Sequence, residues 1–172
     1  MSTTKKSILF VVVILILDQA LKIWVKTHMQ IGDEIHFFGK RGMLHFIENN
    51  GMAFGMEMGG KTGKFVLSIF RMIAIVGIGW FLSSIIKKKV NLGLIIAVSA
   101  ILVGALGNLI DSAFYGMIFS ESYTAPAVMF PPEGGYSSFL QGRVVDMFYF
   151  PVIQTHWPQW SPFRPGESFI FF

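Results

Sequence analysis

The chain has 172 residues, of which 53% are hydrophobic and only 14% are charged, and its formal net charge is +4. Soluble domains carry about 25% charged residues, so this composition argues against a soluble domain and indicates a membrane protein. The Lys and Arg residues stand at the ends of apolar runs, which favours a role in membrane orientation over nucleic-acid binding. The chain has no Cys, which excludes disulfides and thiolate chemistry, and its four His residues show no ligand spacing. No metal or other cofactor is therefore expected.

The first apolar run covers residues 7–25 and follows Lys5 and Lys6. A helix of about 20 residues crosses a bilayer, and no small-residue cleavage site of a signal peptide follows the run. We therefore predict a retained transmembrane helix. Asp18 and Lys22 are spaced i, i+4 within it, with the acid first, which is the better orientation for an ion pair. A structural pair that makes both charges tolerable is favoured over a functional role.

Two further apolar runs, residues 65–86 and 90–111, are predicted to form a tight helical hairpin. Three consecutive Lys residues, 87–89, stand at the turn between them. By the positive-inside rule, this turn and the basic N-terminus both lie on the cytoplasmic side. The segments 27–63 and 112–172 are then expected on the outer face of the membrane.

Residues 30–60 consist of short apolar stretches separated by glycines, which predicts the strands and turns of a small sheet. We expect this sheet to form a cradle on the outer membrane face. Near its end, a polar cluster that includes Asn50 leads into a stretch with small residues that begins at Gly51. Asn offers both donors and acceptors, and Gly allows close approach of a substrate backbone. A turn between strands explains these residues equally well, so both interpretations stay open.

The last third of the chain, residues 112–172, contains no further apolar run long enough to span a bilayer. Residues 120–142 are rich in Ser, Gly and Pro, which predicts an extended loop without a core. Residues 147–172 are aromatic and contain Trp, which is typical of an interfacial segment. The sequence thus predicts one integral-membrane domain, residues 1–172, with a membrane α-helical fold. Three transmembrane helices form its polytopic bundle, beside a small extracytoplasmic β-sheet cradle.

Two carboxylates, Asp111 and Asp146, stand where apolar sequence meets polar sequence. Ionisable groups at membrane depth are costly, so function is the default hypothesis for them. Asn108 shares a helix face with Asp111. Asp146 lies among apolar residues, where desolvation raises the pKa of an acid and suits it to acid–base catalysis. An ion pair with Arg143 is the structural alternative. From the residues alone, Asp111 and Asp146 are the natural pair of an aspartyl protease, in which two carboxylates share one proton.

Four motifs together resemble the lipoprotein signal peptidase family, also called signal peptidase II. In chain order they are Leu17-Asp18-Gln19-Ala20-Leu21-Lys22, Asn50-Gly51-Met52-Ala53-Phe54-Gly55, Gly104-Ala105-Leu106-Gly107-Asn108-Leu109-Ile110-Asp111 and Gly142-Arg143-Val144-Val145-Asp146-Met147. The resemblance implies a four-helix aspartyl endopeptidase of the bacterial cytoplasmic (inner) membrane, with its N-terminus in the cytoplasm and its active site on the extracytoplasmic face. Its substrates would be diacylglyceryl-modified prolipoproteins, cut just before the lipidated Cys and reached through the membrane lipids. No metal, other cofactor or nucleic acid is implied.

The resemblance implies a catalytic role for Asp146. It implies roles in substrate binding or in support of the site for a larger set: Asn50, Gly51, Asn108, Asp111, Arg143, Asp18 and Lys22. The sequence departs from the family at Ser112, where many members have Arg, and Arg143 is the residue proposed to replace that charge. The second catalytic aspartate belongs to a later Phe-Asn-x-Ala-Asp motif at the start of a fourth helix. Neither occurs before Phe172, so truncation of the sequence is expected.

Two other functions stay open at this point. A catalytically inactive, lipoprotein-binding relative would use the same groove without hydrolysis, because the second catalytic aspartate is absent from these residues. A small transporter would use Asp18, Asp111 and Asp146 as a proton relay. Transporters of that kind are built from repeated halves with broken helices, and the sequence shows neither feature.

Overall fold

The structure, a computed structural model, describes residues 2–50, 60–151, 153–156, 159 and 168–171. In this part of the chain, three helices are long and apolar enough to cross a membrane. They are α1 (Thr3–His28), α2 (Gly60–Lys87) and α3 (Leu92–Ile110). The predicted helices 7–25 and 65–86 therefore extend further at both ends than the apolar runs suggested.

The helix ends follow from capping. The Ser2 hydroxyl accepts the N–H of Lys5, so α1 begins before its basic residues rather than after them. Asn91 caps α3 by accepting the N–H of Gly93 at 2.7 Å, which starts that helix two residues later than predicted. Such side-chain acceptors satisfy N–H groups that have no partner within the helix.

The predicted end of the third helix at Asp111 is wrong. The chain stays helical through a π-helical turn, Asp111–Tyr115, and a last turn, Gly116–Ile118. A solvated Asp would favour a helix end, but this carboxylate is buried and paired, so nothing stops the helix there. The π turn leaves backbone carbonyls available, and Gly142 N donates to Ser112 O at 2.9 Å. A Cβ at position 142 would collide with the Asp111 carbonyl, so this glycine permits the contact.

Three antiparallel strands form the sheet: β1 (Glu34–His36), β2 (Met43–Asn49) and β3 (Val144–Tyr149). The sequence predicted the first two within residues 30–60, but it placed β3 in a loop and interfacial segment. β3 is rich in β-branched and aromatic residues, as strands usually are. Its register sets Asp146 opposite Ile47 on β2. A second antiparallel pair joins β4 (Ile153–His156) and β5 (Ser168–Phe171).

One apolar core holds the sheet on the ends of α1 and α3. Its buried members are Val25, Met29, Phe46, Tyr115, Phe119, Ala127, Val145 and Met147. Residues 120–142 were predicted to have no core, but Ala127 lies in this one and its N–H donates to Lys26 O at 2.8 Å. The loop is therefore packed on the sheet side of the helices, at the end of α3 opposite the Lys-rich hairpin turn.

Candidate active site

Asp111 is the centre of a buried polar cluster between α1 and α3, and it has no exposed surface. Lys22 Nζ donates to its Oδ2 at 2.7 Å, and the backbone N–H of Val145 donates to the same oxygen at 3.1 Å. Gln19 Nε2 donates to the other oxygen, Oδ1, at 3.1 Å. A buried carboxylate is tolerable only when it is paired and hydrogen-bonded in this way. Both oxygens of Asp111 are thus occupied by donors from the protein.

The other predicted members of the cluster surround Lys22. Its ammonium donates to Asn108 Oδ1 at 3.1 Å and lies 3.5 Å from Asp18 Oδ2. The predicted Asp18–Lys22 pair is therefore present, although Asp111 is the nearer acid. A Cβ on Gly107 would collide with Asp18 Oδ2, so the glycine lets α3 approach the pair closely. One helix turn of α1 and one of α3 thus bring all four polar residues together.

Asp146 lies next to this cluster but in a different setting. Val145 is buried and bonded to Asp111, and because side chains alternate along a strand, Asp146 points to the opposite, exposed face. Asn49 Nδ2 donates to its Oδ2 at 3.3 Å. Desolvation by surrounding protein raises the pKa of Asp146, while the Asn49 hydrogen bond and the charges of Lys22 and Arg71 oppose that rise. The carboxyl is accessible, and its affinity for a proton is increased.

Arg143 does not pair with Asp146, so that structural alternative is wrong. Its guanidinium donates to Glu48 at 3.0 Å and to Glu121 at 2.6 and 3.0 Å, and it lies over the ring of Tyr136. Hydrogen bonding to Glu121 is the main reason that the pKa of Arg143 is raised. An i, i+3 spacing brings side chains together on a helix, whereas across this strand it places them on opposite faces.

The same two acids belong to a second charged network, which the sequence did not reveal. Lys26 is fully buried and pairs with Glu48, and it also donates to Ser122 Oγ at 2.9 Å. We call Lys26, Glu48, Glu121 and Arg143 the clasp. It ties the end of α1, β2, the 120–142 loop and the start of β3 together. In the sequence these four charged residues are far apart, and no local pattern indicated that they meet.

Arg71 is the other residue that sequence reasoning left without a role. It interrupts the apolar run of α2, and its Nη1 donates to Ser112 Oγ at 2.9 Å. Of the remaining predicted site residues, Asn50 lies just after β2 and accepts a hydrogen bond from Lys64 Nζ at 3.1 Å. Gly51 lies outside the described residues. Within the described ranges, no group of three or more His, Asp or Glu residues is placed to hold a metal ion.

The chain is similar to known proteins along most of its length. The family model for signal peptidase (SPase) II matches residues 10–171. The chain belongs to the signal peptidase II family. A lipoprotein signal peptidase from Porphyromonas gingivalis is 45% identical over 163 residues, which cover 94% of this chain and 70% of that protein. A lipoprotein signal peptidase from Amoebophilus asiaticus is 35% identical over 154 residues, which cover 88% of this chain and 61% of that protein.

Two solved structures of bacterial membrane enzymes have a similar fold. A bacterial membrane enzyme determined by the in meso method at 2.3 Å resolution has 25% sequence identity and a TM-score of 0.56, and the match covers 97% of this chain and 79% of that one. A second such structure, at 1.9 Å resolution, has 28% identity and a TM-score of 0.53, with 87% and 76% covered. The resemblance drawn from the four motifs is confirmed. The membrane helical fold with a small antiparallel sheet is confirmed as well.

Proposed function

We propose that this protein removes signal peptides from diacylglyceryl-modified prolipoproteins, as an aspartyl endopeptidase in which Asp146 is one of two catalytic carboxylates. The observation that carries the proposal is the state of Asp146, an exposed carboxyl with a raised pKa beside a fully paired polar cluster. Groups with such perturbed proton affinity are characteristic of acid–base sites. The substrate class follows from the similarity to proteins named lipoprotein signal peptidase.

The proposed reaction is hydrolysis of one peptide bond. One carboxylate takes a proton from water while the water oxygen attacks the scissile carbonyl carbon, and the carbonyl oxygen receives a proton from the other carboxyl. The carboxyl that took the proton from water then gives it to the amide nitrogen as the C–N bond breaks. One hydroxyl proton of the tetrahedral intermediate returns to the other carboxylate, which leaves a carboxyl product and a free amine. Asp111 is not the second carboxyl in this proposal, because both of its oxygens accept protein hydrogen bonds and its surface is fully buried. The family resemblance assigns that role to the later Phe-Asn-x-Ala-Asp motif.

The remaining predicted residues take supporting roles in the proposal. Asp18, Lys22 and Asp111 fix α1 against α3, and the Val145 N–H bond to Asp111 sets the face on which Asp146 lies. We propose that Asn50, Gly51 and Asn108 bind or shape the substrate backbone. Arg143 acts at a distance, through the clasp that holds β3.

The distribution of charges supports a proposed orientation of the protein in the membrane. The Lys-rich hairpin turn and the sheet lie at opposite ends of α3, so the positive-inside rule supports an extracytoplasmic position for the sheet and Asp146. We therefore propose a multi-pass protein of the bacterial cytoplasmic membrane with a cytoplasmic N-terminus. Substrate would enter laterally from the bilayer, with its lipid left among membrane lipids.

The test is a cleavage assay with the full-length gene product in liposomes. The substrates are one prolipoprotein with and without its diacylglyceryl group, and products are identified by mass spectrometry. We expect cleavage before the lipidated Cys, no cleavage of the unmodified chain, and no cleavage by Asp146→Asn. Glu133→Gln, the same chemical change at an exposed loop residue, is the matched control and should stay active.

Each contrary result has a distinct meaning. Equal cleavage of both substrates would contradict the proposed substrate class, and an active Asp146→Asn protein would contradict the aspartyl mechanism. A wild-type protein that binds the lipidated substrate without cutting it would instead support the inactive, lipoprotein-binding relative.

A further inference from the structure

Arg71 is a charged residue within a membrane-spanning helix. It lies nine residues after Thr62, where the apolar span of α2 begins, which corresponds to about 13 Å along the helix axis. Its side chain is half-buried and directed at the π turn that follows α3, where Nη1 donates to Ser112 Oγ at 2.9 Å. Arginine at membrane depth is costly, so function is the default hypothesis for it. The Ser112 hydroxyl is neutral, so the electrostatic effect of Arg71 depends on the acids that lie near it.

A short series of contacts leads from Arg71 to Asp146. Ser112 follows Asp111 in the π turn, Asp111 Oδ2 accepts the N–H of Val145 at 3.1 Å, and Val145 precedes Asp146. The charge of Arg71 interacts with both Asp111 and Asp146. The guanidinium of this α2 residue therefore lies beside the π turn that carries Asp111.

Lys22 and Arg143 each have acidic partners of their own. Lys22 lies 2.7 Å from Asp111 and 3.5 Å from Asp18. Arg143, which the sequence suggested as the replacement for a charge at position 112, is bound to Glu48 and Glu121 in the clasp. Among the described residues, the carboxylates of Asp18, Asp111 and Asp146 lie near Lys22 or Arg71. The charge of Arg71 also acts on Asp146, where it favours the ionised carboxylate.

We propose that Arg71 is a positioning residue for proteolysis, whose guanidinium, anchored on Ser112, stabilises the negative charge that Asp146 carries when water is activated. This inference rests on the proposed function, because it assumes that Asp146 takes part in catalysis. Arg71 acts through Asp146 and through electrostatics, so neither its size nor its hydrogen bond alone is the essential property.

The expected pH effect has a definite sign. Among the described residues, the groups that act on Asp146 are Lys22 from α1, Arg71 from α2 and the Asn49 amide from β2, and Asp111 in the π turn is paired to Lys22. Removing a nearby cation raises the pKa of a carboxyl. The acidic limb of the kcat/KM profile should therefore move to higher pH in Arg71→Ser, by about one unit.

The experiment compares pH profiles of the full-length protein in liposomes for wild type, Arg71→Ser, Arg71→Lys and the double variant Arg71→Ser, Ser112→Arg. Arg71→Ser should lose about tenfold in kcat/KM below the acidic limb, which corresponds to a one-unit shift. Arg71→Lys keeps the charge and should keep the limb within a few tenths of a unit. The double variant returns a guanidinium from the residue that Arg71 contacts, so it should restore the wild-type limb. Ser112→Ala, which removes the anchor and keeps the charge, is the matched control and should shift the limb less than Arg71→Ser.

Several results would overturn the inference. An unchanged profile in Arg71→Ser would do so, and so would a loss of activity that follows the folded fraction and is not restored by the double variant. If Arg71→Ser does not fold, Arg71→Lys decides, because a shifted limb with the charge retained contradicts the proposal. Asp146→Asn separates the two levels: if it stays active, the proposed function fails, whereas if it is inactive and Arg71→Ser behaves as wild type, only this inference fails.

Discussion

Asp111 accepts a hydrogen bond from the backbone of Val145, which is the residue before Asp146. The carboxyl groups of the two aspartates nevertheless have opposite surroundings. Asp111 is fully buried and accepts from Lys22, Gln19 and the Val145 backbone. Asp146 is exposed, accepts from Asn49 at 3.3 Å, and has a raised pKa because of desolvation. A carboxylate whose oxygens are all occupied stabilises a fold, whereas one that is accessible and partly desolvated is available for chemistry.

The comparison also explains why the two are adjacent. The same hydrogen bond that satisfies Asp111 fixes the backbone of Val145, and strand alternation then determines where Asp146 points. Rigid support of this kind is what a catalytic group requires, since small displacements are costly to catalysis. Asp111, whose oxygens are all hydrogen-bonded, thus orients the accessible Asp146.

The largest expected effect is on stability, from Asp111→Ala. Loss of this carboxylate leaves the Lys22 ammonium buried with a more distant acid, and we expect destabilisation by about 3–5 kcal/mol. The double variant Lys22→Met, Asp111→Leu removes both charges and should recover much of that loss. Thermal unfolding in detergent measures both. If the single variant is as stable as wild type, the structural role of Asp111 is wrong.

A similar but smaller effect is expected in the clasp, from Glu48→Gln. Lys26 is fully buried beside Glu48, while Ser122 and nearby aromatic rings still contact its ammonium. We expect a loss of about 3 kcal/mol in unfolding free energy, with kcat per folded molecule within about twofold of wild type, because the clasp does not contact Asp146. A large fall in kcat at unchanged stability would instead include the clasp in the active site.

The smallest effect is expected from Asn49→Ala. The amide donates to Asp146 and opposes the rise in its pKa, so its removal should raise that pKa further. The acidic limb of the activity profile should move to higher pH by less than one unit, with little change in stability, since the contact is exposed. A shift to lower pH would contradict the assignment of Asp146 as the titrating group. Asn49→Asp is no substitute control, because it adds a charge.

Much of this fold could be predicted from the sequence, because three apolar runs of spanning length leave few alternatives. The shared face of Asn108 and Asp111 and the Asp18–Lys22 pair also followed from helical spacing. The contacts between side chains on different helices and strands did not follow from local spacing. Local spacing made Asp146 the nearest acid to Arg143, but β3 is a strand, and its pairing with β2 is a long-range contact that no local pattern encodes.

The extension of α3 was missed for a related reason. A sequence shows an acid at the end of an apolar run, and only the tertiary contact with Lys22 reveals that Asp111 is buried and that the helix continues to Ile118. Arg71 is recognisable in the sequence as a charge inside an apolar run. Its hydrogen-bond partner, Ser112 in the π turn, could not be predicted without knowledge of how the helices pack.

The most direct test of the central claim is a side-by-side measurement of Asp146→Asn and Asp111→Asn, with cleavage activity and thermal unfolding recorded for each at neutral pH. Because the pKa of Asp146 is raised in the folded protein, stability falls as pH rises from the unfolded to the folded pKa. Above that window, Asp146→Asn should be as stable as wild type or more stable, and inactive. Asp111→Asn should be clearly less stable. The account is contradicted if Asp146→Asn still cleaves the substrate, or if its activity falls only in proportion to a lost folded fraction.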